Sequence, residues 1–166
     1  MYTKKLTIII CFCFLSISLT QENNGWLTNY EEVYQKSTKE DKPILANFTG
    51  SDWCGWCKKL KKAVFDTKVF QNWADENVVL FELDYPRRTP QDPAIKKQNT
   101  ELQQIFRSVV RGYPTVLLFN IERTFDDGEK KQDGIKLHGS RMGYMGDPNS
   151  FINVAEKNLQ NRVVNK

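Results

Sequence analysis

The sequence predicts a three-layer α/β domain built around a mixed sheet, on three observations. Short apolar runs of strand type alternate with segments of helical periodicity. Several helix starts carry recognisable caps. No internal repeat or low-complexity linker divides the chain, so its 166 residues fit one domain behind a short leader.

The elements follow in order. TNYEEVYQKSTKED, from Thr28, reads as a helix, with Thr28 as N-cap and Glu31 three residues later in a capping-box pattern. Pro43 ends it, and PILANF is a short buried-type strand. KKLKKAVF then continues a helix that opens at a cysteine pair, with Leu60, Ala63 and Val64 at helical spacing. Thr67 to Glu76 is a further short helix, and NVVLFELD is a strand rich in β-branched and aromatic residues.

YPRRTPQDP, with three prolines and two arginines, is a loop, and Asp92-Pro93 marks a helix start by cap and first-turn proline. That helix is predicted to run to about Val109. RGYPTVLLFN gives a turn and a strand, and the polar segment 126–134 connects it to GIKLHG as a hairpin partner. Asp147-Pro148 opens a terminal helix, NSFINVAEKNL.

Residues 1–20 read as a secretory signal peptide and 21–166 as the domain. MYTKK is a short basic region, LTIIICFCFLSIS is an apolar run without acidic residues, and Ser18 and Thr20 are small enough for the −3 and −1 positions before Gln21. The run is short for a membrane span, which sets this reading against an uncleaved anchor. Cleavage removes Cys11 and Cys13 and leaves Cys54 and Cys57, in a compartment where disulfides form. The charge then becomes 24 basic residues less Lys4 and Lys5, against 20 acidic ones, a net of +2. That balance argues against a nucleic-acid partner, and after cleavage nothing calls for a membrane.

The stretch GSDWCGWCKKL carries the chemistry. A structural bridge between Cys54 and Cys57 closes a tiny loop worth roughly 2 kcal/mol before strain, little for a domain of this size. A zinc site needs four ligands, and the pair plus the single histidine, His138, gives three. A c-type haem attachment needs histidine at position 58, where the chain has lysine. A redox pair accounts for more of the letters. Cys54 falls at a helix N-terminus, where unpaired N–H groups and the helix dipole favour a thiolate and draw its pKa from about 8.5 toward about 7. Cys57, one turn inside, is expected to be more buried and placed to resolve a mixed disulfide.

With the strand PILANF before it, the motif Trp53-Cys54-Gly55-Trp56-Cys57-Lys58, and Gly112-Tyr113-Pro114-Thr115 before VLLF, the sequence resembles the thioredoxin superfamily over about residues 26 to 160. It looks nearest to secreted bacterial thioredoxin-like proteins of the disulfide reductase or isomerase type. The resemblance implies a thioredoxin-like fold with an extra N-terminal helix, catalytic Cys54 and Cys57, and no metal or organic cofactor beyond that redox pair. It implies substrate contacts at Trp53, Gly55, Trp56, Tyr113 and Pro114. It also implies a cis Tyr113-Pro114 bond, where the residues alone suggest an ordinary trans proline, with the backbone before it pairing to an extended substrate. Its implied partners are protein thiols and disulfides and a thiol electron donor. A monomer in the bacterial periplasm, or outside the cell, is the setting.

Several readings stay open at this stage. The direction is reduction or isomerisation, with oxidation as the alternative, and a non-catalytic binding module or chaperone is the alternative from another class. Trp53 suits core packing and the substrate rim equally, whereas Trp56 is expected to be exposed. Where relatives carry a buried carboxylate beneath the second cysteine, the matching residue is Asn47, which takes up no proton. Asp52 is expected to face solvent. Lys58, Lys59, Lys61 and Lys62 read as a solvated helix face, with a lowered thiolate pKa or the attraction of acidic partners as the alternative, and His138 as a surface or satisfied structural histidine. GYMGDP resembles a glycine turn that approaches the active site.

Overall fold

A computed structural model describes residues 25–126 and 130–164; the leader at 1–20 and positions 127–129 lie outside the described residues. The nine expected elements occur in the expected order. Helix α1 (Tyr30–Glu40) is followed by strand β1 (Ile44–Thr49), helix α2 (Gly55–Leu60), helix α3 (Lys68–Asn77) and strand β2 (Val79–Asp84). Helix α4 (Pro93–Ile105), strands β3 (Thr115–Asp126) and β4 (Lys130–Met142), and helix α5 (Pro148–Val164) complete the chain.

The sheet order is β2-β1-β3-β4, with β1 parallel to β2 and the other neighbours antiparallel. Alternation along the strands divides the core in two. Leu45, Leu80, Val116 and Leu118 face α2, α3 and α5, where they meet Leu60, Phe70 and Phe151. Ile44, Ala46, Phe48, Phe81 and Phe119 face α1 and α4, where they meet Val33, Leu102 and Phe106. All six residues of β1 are buried, as a central strand covered on both sides requires. The mixed sheet with helices on both faces is the predicted three-layer fold, with α1 as its N-terminal helix.

The differences lie at element ends. The cap of α1 is Asn29, not Thr28: its side chain accepts from the N–H groups of Glu31 and Glu32, and asparagine holds such donors at least as well as threonine. The helix after the cysteines does not stay α-helical. Residues Lys61–Phe65 form a π turn in which Asp66 N–H reaches back to Lys61 O at 2.9 Å. The wider turn accompanies burial of the adjacent Val64 and Phe65, which a regular helix would aim in diverging directions; Phe65 lies against Trp26 and Phe70. Helix α4 stops at Ile105 rather than near Val109, and the N–H groups of Val109 and Val110 turn back to Phe106 O. The described part of segment 126–134 is strand rather than connection, beginning with the pair Asp126 and Lys130.

Two contacts fasten outer layers to the sheet. The nearly buried Arg123 of β3 bonds both Glu31 on α1 and Asp133 on β4, and its guanidinium lies 3.5 Å from the centre of the Tyr34 ring. On the other face, Asn158 of α5 accepts from Ser140 N–H and donates to Ser140 O. That bridge requires Gly139, whose φ is +64° and where an added Cβ would sit 2.0 Å from Asn158 Oδ1. Gly139→Ala is therefore expected to cost about 1–3 kcal/mol, read as a lower urea midpoint with an unchanged denaturant slope.

Candidate active site

Strand β1 ends at Thr49, and after four intervening residues the chain turns into α2 with Cys54 as its N-cap. The Cys54 sulfur accepts the Cys57 N–H at 3.1 Å, so a thiol takes the place that serine or aspartate usually fills at a helix start. Cys54 and Cys57 are joined by a disulfide. The expected contrast in burial is not observed: Cys54 is 6% exposed and Cys57 5%. In this oxidised state both sulfurs lie at the first helical turn. Gly55 and Trp56, by contrast, are exposed, Trp56 at 55%.

The loop between strand and helix fixes Trp53. Its indole N–H donates to Tyr85 O at 2.9 Å, and its ring stands edge-on to Tyr113, which in turn packs on Tyr85. Gly50 permits this packing, since a Cβ there would lie 2.4 Å from the indole. Trp53 is thus both half-buried packing and one flank of the cysteine pair. Tyr113-Pro114 is cis and lies on that same flank, with the Tyr113 hydroxyl accepting from Gln103 at 2.8 Å. The opposite flank is Trp56, whose ring centre is 4.9 Å from that of Tyr144. The glycine turn GYMGDP therefore does reach the site: a Cβ on Gly143 would come 3.8 Å from Pro114 O.

Asp52 holds a place that its sequence neighbours do not disclose. Rather than facing solvent freely, its carboxylate accepts the backbone N–H groups of Arg87, Arg88 and Thr89 at 2.6–3.1 Å and so clamps the proline-rich loop against the motif. Desolvation acts to raise its pKa, but these donors outweigh it and bring it down to about 2. The Arg87 guanidinium then rests 3.9 Å from the centre of the Trp53 ring. Asp84, at the end of β2, is likewise engaged, bonding the N–H and hydroxyl of Ser51.

Asn47 lies on the α2 side of β1, buried, with its Oδ1 unpartnered. Its register partner on β2 is Glu82, on the same face. Burial first, and Asp84 second, push the Glu82 carboxyl up, while Lys61 opposes them. A carboxylate thus lies one strand across from where relatives are expected to carry theirs. His138 is a satisfied buried histidine within β4, its Nε2 2.6 Å from Asn120 Oδ1. Among the described residues no group of three or more His, Cys, Asp or Glu is arranged to hold a metal.

Of the residues expected at the site, Cys54, Cys57, Trp53, Gly55, Trp56, Tyr113 and Pro114 fall on the two flanks and the turn between them. Sequence reading missed Tyr144 and Glu82, and it placed Arg87 only in a loop that either recognises a partner or varies freely. The GYMGDP turn was a signal for the first.

Comparison with known proteins agrees with this geometry. Residues 25–120 match a family model described as Thioredoxin-like. The chain is 33% identical over 104 residues to the disulfide bond reductase DsbH of Chlamydia pneumoniae, covering 63% of this chain and 57% of that protein. It is 33% identical over 97 residues to the thioredoxin-related protein DsbJ of the same organism, covering 58% of this chain and 27% of that protein. The chain thus spans little more than half of one curated relative and about a quarter of the other. A solved structure titled DsbH Oxidoreductase superposes with a TM-score of 0.64 at 26% identity, covering 81% of this chain and 83% of that one.

Two outcomes follow from the carboxylates. Asp52→Ala is expected to speed hydrogen exchange at the Arg87, Arg88 and Thr89 amides. Because its folded pKa is about 2 against an ordinary 3.8, the Asp52 contribution is complete above 3.8 and lost as pH falls through 2; over that window wild-type exchange should approach that of the variant. Glu82 has the opposite sign. Its raised pKa means that its stabilising, protonated form is lost as pH rises, so Glu82→Gln is expected to unfold at a higher urea concentration than wild type at pH 7.

Proposed function

Given that the chain belongs to the thioredoxin-like family, we propose that it is an exported thiol–disulfide oxidoreductase that reduces or isomerises protein disulfides in the bacterial periplasm. The observation that carries this reading is the Cys54–Cys57 disulfide at the start of α2, set between two aromatic flanks. A structural staple would gain little there, and the helix start favours the thiolate that the chemistry needs.

In the proposed cycle the reduced enzyme acts first. The Cys54 thiolate attacks one sulfur of a client disulfide; a Cys54–client bond forms and the other client sulfur leaves as thiolate. Cys57 then loses its proton and attacks the Cys54 sulfur, closing the enzyme disulfide and releasing the second client thiolate. Two electrons pass from enzyme to client, and the one proton given up, that of Cys57, goes to solvent or to a released client thiolate. A thiol donor of electrons returns the pair to the dithiol. Isomerisation uses the first step alone, when another client thiol displaces Cys54 before Cys57 acts. The extended client lies along the backbone leading to Pro114, with Trp53, Gly55, Trp56 and Tyr113 around it, a small case of strand addition. Asn47 takes no proton from Cys57, and Glu82, its register partner one strand away, is a carboxylate on that face.

The name of one relative, a disulfide bond reductase, favours reduction over oxidation. The test is substitution at each sulfur. Cys54→Ala should abolish thiol-driven insulin reduction, and Cys57→Ala should accumulate mixed disulfides with client proteins, identified by mass spectrometry. Full activity in Cys54→Ala would overturn the role given to Cys54, and no activity in the wild-type protein would leave a binding module as the better account.

A further inference from the structure

Both tryptophans beside the reactive pair carry a cation on their faces. Arg87 lies 3.9 Å from the Trp53 ring centre on one flank, and Lys59 lies 4.3 Å from that of Trp56 on the other. Arg87 is not there by chance of loop conformation, because Asp52 within the motif fixes its backbone by the three N–H bonds described above. Lys58 and Arg88 are exposed alongside them. Among the described residues, Lys58, Lys59, Arg87 and Arg88 take part in no ion pair, while the nearby carboxylates have their oxygens engaged. Asp52 holds the loop amides, Asp84 holds Ser51, and Asp147 accepts from Ser150 N–H.

The rim around the disulfide therefore offers exposed aromatic surface at Trp56 and Tyr144 and four cations held in no ion pair, which outnumber the neighbouring carboxylates of Asp52 and Asp84. A cation resting on a ring is held in place while its outer hemisphere stays open to a further anion. We propose that this two-sided rim selects extended client segments bearing carboxylates on both sides of the reacting cysteine: one acidic side chain meets Arg87 over Trp53, and another meets Lys59 over Trp56. The inference rests on the oxidoreductase reading and adds to it a substrate class. The lysines after the motif, which sequence alone assigns to a solvated face, become in part a recognition element.

The test uses three synthetic peptides of equal length, each closed by one intramolecular disulfide, with aspartate, asparagine or lysine flanking both cysteines. The pre-reduced protein is mixed with each, and its oxidation is followed by quenched thiol labelling and mass spectrometry. Each rate is divided by the rate of the same peptide with dithiothreitol, which removes the effect of the flanking charge on the peptide's own sulfur chemistry. At low ionic strength the aspartate peptide should react about tenfold faster than the lysine peptide, and the ratio should shrink in about 0.5 M salt. In the double variant K59Q/R87Q the ratio should fall below about twofold. Equal normalised rates in the wild-type protein, or an unchanged ratio in the double variant, overturn the proposal while leaving the redox activity standing. Failure of all three peptides to react overturns both.

Discussion

The arrangement depends on one constraint: a helix that begins on a sulfur at the end of a fully buried strand. Strand β1 is covered on both faces, so its end point is fixed by packing rather than by the loop that follows. Cys54 then caps α2 through its own side chain, and this sets the position of Cys57 one turn on. The same unpaired N–H groups that a cap must satisfy favour negative charge on sulfur once the disulfide opens. Local helix physics and redox chemistry thus make the same demand of residue 54.

Around that start, the motif organises its own surroundings. Trp53 reaches across to Tyr85 and Tyr113, and Asp52 gathers the amides of the following proline-rich loop. An exposed carboxylate usually contributes little as an ion pair, yet several backbone donors converging on it make a local scaffold. The result is that a loop some thirty-five residues away in sequence presents Arg87 at the cysteine pair. On the interior side the sheet carries an imperfectly satisfied spot, with Asn47 Oδ1 unpartnered and Glu82 buried beside it. Such unfavourable groups concentrate at functional sites, where stability is given up for chemistry.

Most of the architecture was legible because it is written in local signals. Apolar runs such as ILANF, the Asp92-Pro93 start and the Cys54–Cys57 pair each act within a few residues, and each is where it was expected. What was not legible depends on distant partners. Asn29 and Thr28 are both acceptable caps, and only the geometry of entry from the Leu27 bridge to β2 selects between them. The π turn answers to the aromatic cluster of Trp26, Phe70 and Phe151 around Phe65, which no helical pattern reveals. Likewise the clamp at Asp52 and the tilted contact of Tyr144 with Trp56 join segments far apart in the chain. The sequence also did not disclose that Cys54 is as buried as Cys57.

The most direct measurement is the thiolate titration of the reduced protein, following absorbance near 240 nm and the alkylation rate of Cys54 with iodoacetamide as pH is varied. An ionisation midpoint near 7, with alkylation confined to Cys54 at neutral pH, is the expected result. A midpoint at or above the ordinary 8.5 or so, or a Cys54 that resists alkylation in the folded protein, would contradict the account.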